Sequence, residues 1–259
     1  MLQFQKELTA LRSKGGLREC KFISSGCYAY IKINGRKLLN LCSNNYLGLA
    51  DDKRLKDAAI QAVRKFGVGA GASRLVLGGN TLHKRLEKAL ADFKKQEAAL
   101  VYSSGYSANL GIIPAFVGRR DLVFSDRLNH ASIIDGIILS RAELVRYPHK
   151  DTRALEELLM AHKPEDRSQN RLIITDSVFS MDGDIAPVPQ LVNLAKKYDC
   201  LLMIDEAHAT GVMGKNGRGV LEHFGIKRDE RIIQMGTLSK AIGALGGFVC
   251  GRKDLIDYL

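Results

Sequence analysis

From residue 98 onward, short apolar runs alternate with longer stretches in which apolar residues recur every three or four positions. Short apolar runs are typical of buried strands, and the longer periodic stretches are typical of amphipathic helices. Strands that alternate with helices predict an α/β fold, in which a seven-stranded, mainly parallel sheet is covered by helices on both faces. The predicted strands cover residues 98–103, 121–125, 143–148, 171–178, 200–206, 232–237 and 247–251.

The beginning of the chain has a different pattern. Residues 2–13 place apolar side chains at helical spacing, and two glycines follow, so we predict an amphipathic helix that ends there. Residues 28–41 predict a β-hairpin, because Asn34 and Gly35 lie between two alternating runs. Together these elements predict an N-terminal arm over residues 1–45.

Two further helices are predicted over residues 51–65 and 80–95, separated by the glycine-rich segment GVGAGASRLVLGG. That segment is similar to a dinucleotide-binding loop, but it follows a helix instead of a strand and lacks the full GxGxxG spacing. We therefore interpret it as a place of close backbone approach. The chain after the arm, residues 46–259, is predicted to form one large domain.

Composition narrows the class of protein. The chain has 259 residues, 46% of them hydrophobic, and a formal charge of +11 whose Lys and Arg residues are scattered instead of clustered. A scattered charge favours a solvated surface over a nucleic-acid interface. Five widely spaced cysteines predict neither a disulfide framework nor a zinc site, and no apolar stretch approaches the length of a membrane span. We expect a cytoplasmic protein without a membrane or nucleic-acid partner.

Polar residues follow the end of five predicted strands. Ligands of open α/β sheets bind beyond the carboxyl ends of the strands, so these five clusters predict a single site at one edge of the sheet. The clusters are Ser104 to Tyr106, Asn129 and His130, Ser180 to Gly183, Asp205 to His208, and Thr237 to Lys240.

Lys240 lies in the segment GTLSKAIGALGG, among small residues and directly after an apolar strand. A lysine desolvated among apolar groups has a lowered pKa and becomes a usable nucleophile and base, whereas a surface lysine in a glycine-rich loop would be the ordinary alternative. Asp205 ends the preceding apolar strand. Enzymes that use pyridoxal phosphate need a lysine to hold the aldehyde and an acid to keep the pyridine nitrogen protonated, and Lys240 and Asp205 fit these roles.

Other residues at the same edge suit the same cofactor. The turn that contains Gly105 and Tyr106 leads from a strand into a helix, where backbone N–H groups and the helix dipole favour a phosphate. The flat ring of His130 is suited to stacking on a planar cofactor, and His208 is placed to reach its phenolic oxygen. Ser180 is a further polar candidate. Taken singly, each of these residues has an ordinary structural explanation as well.

Two other functions are excluded by missing motifs. The segment IDEAH is similar to the Walker B segment of DEAH-type helicases, but the chain contains no GxxxxGK[ST] loop that would hold nucleotide phosphates. The six histidines form no HExxH or comparable metal-binding pattern. We therefore expect neither a helicase nor a metalloenzyme.

Five motifs distributed from the arm to the end of the chain closely resemble those of the α-oxoamine synthases. The motifs are SNNYLGL, RLNHAS, VFSMDGD, IDEAHATGVMGKNGRG and GTLSKAIGALGG. The resemblance implies the aspartate aminotransferase-like fold, which is fold type I of the pyridoxal-phosphate enzymes. It also implies a decarboxylative condensation of an amino acid with an acyl thioester, and a homodimer with the active site at the interface.

The resemblance assigns roles residue by residue. Lys240 matches the Schiff-base lysine, Asp205 the partner of the pyridine nitrogen, and His130 the ring that stacks on the cofactor. Further matches lie on both sides of the pocket. Gly105 and Tyr106 match the phosphate-side loop, Ser180, His208 and Thr237 match other cofactor contacts, and Arg18 and Asn44 match positions on the substrate side.

Within this family, the segments at residues 71–87 and 129–151 most resemble the branch that joins L-alanine to a pimeloyl thioester for biotin synthesis. The thioester carrier, CoA or acyl carrier protein, stays open. Alternatives are a sibling that joins glycine to acetyl-CoA, another fold type I enzyme such as an aminotransferase, and a non-catalytic partner subunit. The resemblance implies that relatives continue into a C-terminal small domain, and we expect that domain to lie outside residues 1–259.

Overall fold

The computed structural model describes residues 2–164, 166 and 168–259. The chain divides into two compact units, one that ends at Ser43 and one from Asn44 to Leu259. The first unit contains helix α1 (Leu2–Ser13) and an antiparallel hairpin of β1 (Tyr30–Ile33) and β2 (Arg36–Leu39). This confirms the predicted helix and hairpin.

The hairpin turn follows from its two central residues. Asn34 and Gly35 have φ angles of 49° and 77°, in the left-handed region that a two-residue hairpin turn requires. Asparagine and glycine are the residues that adopt this region most readily, so the Asn-Gly pair fixes the position of the turn.

The second unit begins with two helices, α2 (Lys53–Phe66) and α3 (Thr81–Lys94). The Asp52 side chain caps α2, and the Asn80 side chain caps α3 by accepting hydrogen bonds from the backbone N–H groups of Leu82 and His83. Between the helices, the glycine-rich segment forms one π-type helical turn. Both predicted helices are present, with bounds that differ by one or two residues.

All seven predicted strands are present and form one sheet. Its spatial order is β3-β9-β8-β7-β6-β4-β5, and only β9 runs antiparallel to its neighbours. The mainly parallel α/β prediction is therefore confirmed. The strands are β3 (Ala98–Tyr102), β4 (Leu122–Asp126), β5 (Glu143–Tyr147), β6 (Arg171–Asp176), β7 (Leu201–Asp205), β8 (Ile232–Thr237) and β9 (Gly247–Gly251).

Helices cover both faces of the sheet, because successive side chains of each buried strand point to opposite faces. Phe124 of β4 packs in the cluster with Leu155 and Leu191, whereas Val123 packs in the cluster with Ile113 and Ile137. The remaining helices are α4 (Gly105–Phe116), α5 (Ala131–Ser140), α6 (Thr152–Ala161), α7 (Val188–Lys197), α8 (Val220–His223) and α9 (Lys253–Tyr258).

Helices α4 and α5 approach each other closely at Gly136. A Cβ atom on this glycine would lie 2.9 Å from Ile113 Cδ1 and 3.0 Å from the backbone oxygen of Asn109. These distances are shorter than a side-chain carbon tolerates, so glycine is what allows α5 to pack directly on α4. None of the helices in the described part of the chain combines the length and the apolar character that crossing a bilayer requires.

Candidate active site

A cavity of about 270 Å³ lies at the carboxyl edge of the parallel strands. Each of the five polar clusters predicted from the sequence contributes residues to its wall. The predicted residues that line the cavity are Gly105, Tyr106, His130, Ser180, Asp205, His208, Thr237 and Lys240.

Asp205 forms the deep end of the cavity at the last position of β7, where its side chain is only 4% exposed. The carboxylate accepts two hydrogen bonds, one from the backbone N–H of Ala207 at 2.9 Å and one from Asn109 Nδ2 at 3.0 Å. A buried carboxylate held by two donors has a fixed orientation and keeps its charge directed into the cavity.

Asp176 is a second acid in the wall, at the last position of β6 and paired in register with Asp205. Burial raises the pKa of Asp176, and the neighbouring negative charge of Asp205 raises that pKa further. One oxygen of Asp176 accepts the backbone N–H of His130 at 3.0 Å, which anchors the start of α5. Asp176 therefore fixes the turn that carries the histidine.

A hydrogen-bonded series that we call the inner network joins Asp205 to His130. Asn109 Nδ2 donates to Asp205 Oδ2 and, at 2.8 Å, to Ser132 Oγ. Ser132 Oγ lies 2.8 Å from His130 Nδ1. The inner network thus consists of Asp205, Asn109, Ser132 and His130; the first three are buried, and the ring of His130 is exposed in the cavity wall.

A second series, which we call the outer network, consists of Lys240, His208, Tyr46 and Asn44. Lys240 Nζ lies 2.7 Å from His208 Nε2, and His208 Nδ1 lies 2.7 Å from the Tyr46 hydroxyl. The Tyr46 hydroxyl in turn donates to Asn44 Oδ1 at 3.1 Å. Because the ammonium of Lys240 donates to Nε2, Nδ1 carries the ring proton, and all donors point away from Lys240.

Two groups of the outer network have shifted pKa values. Burial lowers the pKa of Lys240, although the negative charges of Asp205 and Asp176 oppose this effect. Burial, together with the positive charge of Lys240, lowers the pKa of His208 to about 4. His208 is therefore neutral at physiological pH, and its Nε2 is available as a proton acceptor for Lys240.

The opposite end of the cavity is suited to an anion. Helix α4 begins at Gly105, and the Ser104 side chain caps it by accepting the Ser107 N–H at 3.0 Å. The backbone N–H groups of the first turn have no acceptor inside the helix and point toward the cavity end. Thr237 lies beside this turn, where a Cβ on Gly105 would be 3.4 Å from Thr237 Cβ. These contacts build a compact polar cradle.

A buried ion pair holds the turn that carries both Asp205 and His208. Glu206, between them in sequence, pairs with Lys94 at the end of α3, and both side chains are fully buried. Glu206 also accepts hydrogen bonds from the Val220 N–H at 2.7 Å and from Gln234 Nε2 at 2.8 Å. A buried charge pair with its remaining lone pairs satisfied fixes the backbone on either side of it.

The loop that carries Ser180 is held by a histidine outside the cavity. His149 lies between two carboxylates, with Nδ1 at 3.0 Å from Asp126 and Nε2 at 2.9 Å from Asp184. Burial opposes protonation of His149, but its hydrogen bonds to the two carboxylates raise its pKa overall. The resulting charged contacts tie the Ser180 loop to the end of β4.

Two predicted substrate-side residues do not line this cavity. Asn44 reaches it only through Tyr46 and the outer network. Arg18 belongs to the first unit, where it lies exposed in a stretch without regular structure, and its role stays a prediction.

Sequence reasoning missed four polar residues of the two networks and the cavity wall. Asp176 had a usable signal, because it ends an apolar strand just as Asp205 does. Asn109 is the single polar side chain in the apolar stretch ANLGIIP, which is also a signal. Ser132 and Tyr46 had no such signal, because serine is common at the start of helices and tyrosine is common in loops.

The residues present fit pyridoxal phosphate. The exposed ring of His130 offers a flat surface, and the buried carboxylate of Asp205 offers a partner for a protonated pyridine nitrogen. The start of α4 suits the phosphate, and Lys240, with its lowered pKa, is available to an aldehyde. Each chemical group of the cofactor thus has a matching side chain or backbone group around one cavity.

Comparison with known proteins gives the same result. The 8-amino-7-oxononanoate synthase of Petrotoga mobilis is 53% identical over 257 residues, which is 99% of this chain and 65% of that protein. The enzyme of the same name from Geobacter sulfurreducens is 54% identical over 98% of this chain and 64% of its own length. The chain therefore spans slightly less than two thirds of the length of these relatives. The predicted resemblance to the α-oxoamine synthases is confirmed.

Solved structures agree at the level of the fold. A serine palmitoyltransferase from S. paucimobilis, described with bound PLP and myriocin, superposes with a TM-score of 0.89 at 34% identity, covering 98% of this chain and 64% of that chain. An 8-amino-7-oxononanoate synthase from Francisella tularensis gives a TM-score of 0.71 at 32% identity, with 84% and 59% covered. The family model for class I and II aminotransferases matches residues 36–259. The chain belongs to the class I and II aminotransferase family.

Proposed function

We propose that this protein is a pyridoxal-phosphate-dependent acyltransferase that makes 8-amino-7-oxononanoate for biotin synthesis. It would join L-alanine to a pimeloyl thioester, carried on CoA or on acyl carrier protein, and release carbon dioxide and the free thiol. The observation that carries the proposal is the convergence of Lys240, Asp205 and His130 on one cavity in a chain 53% identical to a protein of that name.

Pyridoxal phosphate, when bound, supplies an aldehyde that takes up an amino group and a protonated pyridine ring that draws electrons from the α-carbon. Asp205, whose buried carboxylate lies in the cavity wall, would pair with the pyridine nitrogen. The ring of His130 would offer a flat surface to the cofactor ring, and the start of α4 would hold the phosphate.

Lys240 has two tasks in this proposal. It holds the aldehyde between turnovers, and as a free amine it removes a proton from the α-carbon of the amino acid and later returns one. Its pKa, which burial lowers, suits the second task, because a lower pKa makes the free amine easier to form. His208 accepts a hydrogen bond from Lys240 and so orients the amine toward the cavity.

The experiment that tests this function is a visible absorption spectrum of the protein with pyridoxal phosphate, titrated with L-alanine, glycine and L-serine in parallel. We expect a cofactor band that responds to L-alanine at the lowest concentration. A stronger response to glycine or L-serine would favour a sibling activity, and transfer of the amino group to the cofactor would indicate an aminotransferase. A band that ignores every amino acid would favour a non-catalytic subunit.

We also propose that the protein acts as a homodimer. The glycine-rich segment between α2 and α3 carries apolar side chains that are strongly exposed in the single chain, with Val68 at 95%, Leu75 at 100% and Leu77 at 85%. Large apolar side chains exposed to this degree are typical of protein interfaces. Sedimentation measurements should give a dimer, and the double variant Leu75→Lys and Leu77→Lys should shift it toward the monomer.

We place the protein in the cytoplasm. Cys20, Cys27 and Cys42 are exposed, and exposed thiols are compatible with a reducing compartment. Cell fractionation with an antibody against the protein would test this location.

A further inference from the structure

The amide of Asn109 occupies an unusual position for a polar group. It lies in the middle of the apolar helix α4, and its side chain is fully buried. Both hydrogens of Nδ2 are used, one toward Asp205 and one toward Ser132, whereas Oδ1 has no hydrogen-bond partner among the described residues. A buried amide with an unsatisfied oxygen is unfavourable, so the two donated hydrogen bonds must offset that loss.

The directions of these hydrogen bonds follow from elementary donor and acceptor chemistry. An ionised carboxylate only accepts, so turning the Asn109 amide over would bring Oδ1 against the Asp205 oxygen in a repulsive contact. Ser132 Oγ therefore accepts from Asn109, and its own hydrogen is available to His130 Nδ1 at 2.8 Å. The direction of donation is thus set by the carboxylate.

A second donor acts on the same ring nitrogen. The backbone N–H of Ser132, which can only donate, lies 3.2 Å from His130 Nδ1. Nδ1 is therefore an acceptor, and the proton of the neutral imidazole is on Nε2. The backbone and the hydroxyl of one residue select the same tautomer.

Packing fixes the distance over which the network acts. Ser132 and Gly136 are one turn apart on α5, and the missing side chain at Gly136 lets the backbone of Asn109 approach. Helix α4 thus cannot move along α5 without breaking the contact between Asn109 and Ser132. The geometry is a property of the core and not of a mobile loop.

We propose that Asn109 and Ser132 are positioning residues that couple Asp205 to His130. They hold the carboxylate in one orientation and the ring in the tautomer with its proton on Nε2. The part of the inference that concerns cofactor binding rests on the proposed function, whereas the tautomer of His130 does not depend on it.

The test uses the full chain labelled with ¹⁵N in its histidines, with and without pyridoxal phosphate. Long-range ¹H–¹⁵N NMR spectra distinguish an accepting from a protonated ring nitrogen, and a His130→Gln variant assigns the His130 signals among the six histidines. The variants are Ser132→Ala and Asn109→Leu. The matched control is Ser140→Ala, which removes another buried hydroxyl from α5, one that donates to the Ile137 oxygen and lies outside the cavity. Equilibrium dialysis measures the affinity for pyridoxal phosphate.

We expect a single Nε2–H tautomer in the unmodified protein. In Ser132→Ala the backbone N–H still donates to Nδ1, so we expect the same tautomer with a shifted Nδ1 signal, because the hydroxyl donor is lost, and no change in Ser140→Ala. We expect Asn109→Leu to weaken cofactor affinity about tenfold, because Asp205 loses a donor, and Ser132→Ala to weaken it less. If Asn109→Leu does not fold, Ser132→Ala still decides the question.

Two results would overturn the proposal. One is a dominant Nδ1–H tautomer in the unmodified protein. The other is a Ser132→Ala variant whose His130 signals and cofactor affinity both match those of Ser140→Ala. If instead the expected tautomer is found but the protein binds no pyridoxal phosphate, the proposed function fails and the assignment of the ring proton is supported.

Discussion

The inner and outer networks meet at one turn but differ in what their groups can do. The inner network passes through Asn109 and Ser132, which are both buried and neither of which titrates. The outer network passes through His208 and Tyr46, which are both titratable, and Tyr46 is 43% exposed. One side of the cavity is therefore connected through groups that do not titrate, and the other through groups that do.

Each network contains a residue from the turn around Glu206. Asp205 and His208 lie on either side of this residue, and the buried pair with Lys94 holds the backbone between them. If the two networks have separate tasks, a substitution in one network should leave the measured properties of the other unchanged. The following experiments test that separation.

The largest effect is expected for Lys240→Ala, which removes the start of the outer network. No covalent adduct with pyridoxal phosphate should survive borohydride reduction, and turnover should fall by about 10²–10⁴-fold, because the general base is lost. Mass spectrometry detects the adduct. Lys215→Ala, at an exposed lysine in a glycine-rich loop, is the control and should keep it. An adduct in the Lys240 variant would rule out this residue as the aldehyde-binding lysine.

Lys94→Met should destabilise the fold and disturb both networks together. We expect the free energy of unfolding to fall by about 3–5 kcal/mol, because Glu206 keeps a buried charge without its partner. Urea unfolding measures the change. Lys88→Met removes an exposed pair with Asp92 from the same helix and should change the free energy by less than about 1 kcal/mol. Equal effects of the two variants would contradict the role of burial.

The pKa of His208 predicts a dependence of stability on pH. In the unfolded chain His208 takes up a proton near its ordinary pKa of 6.5, but in the folded chain it does so only near 4. The unfolded state thus binds more protons between these values, and the free energy of unfolding falls as the pH is lowered through them.

His208→Gln removes this contribution and isolates it from other titrating groups. Between about pH 7.5 and about pH 5, the unmodified protein should lose on the order of 1 kcal/mol more stability than the variant, after allowance for the partial exposure of His208. Thermal or urea unfolding at both pH values measures the difference. Parallel losses in the two proteins would show that His208 is not held neutral.

The smallest effect is expected for Tyr46→Phe, which removes the hydroxyl between His208 and Asn44. Turnover with L-alanine should fall about two- to tenfold with little change in cofactor affinity, because one hydrogen bond is lost at the exposed end of the outer network. Tyr198→Phe, which loses a hydroxyl bond to Glu156 away from the cavity, is the control. A loss of cofactor affinity as large as that of Asn109→Leu would contradict the separation of the two networks.

The sequence predicts much of the fold because two periodicities dominate it. Each buried strand is an apolar run, and each flanking helix has apolar residues at helical spacing. The bounds of the seven strands could therefore be predicted to within a few residues. The antiparallel direction of β9 could not be predicted from such a pattern. A short connection from β8 allows an antiparallel return, but the apolar run over Gly247–Gly251 is the same for either direction.

The site was predictable where a residue type is unusual in its place. A lysine among glycines and an aspartate ending an apolar strand both stand out from their surroundings. The connections between the networks could not be predicted, since Asn109 meets Ser132 through the packing of two helices and Tyr46 meets His208 across 162 positions of sequence. Such contacts depend on tertiary distances that no local pattern encodes.

The close approach at Gly136 limits which substitutions this position can accept. A single methyl group there would separate α4 from α5 without touching the cavity, yet it would move Asn109 away from Ser132. A stability screen would score the change as a packing defect, and a cofactor titration would score the same change as a binding defect. At Gly136, the absence of a Cβ atom therefore serves both the packing of the two helices and the contact between Asn109 and Ser132.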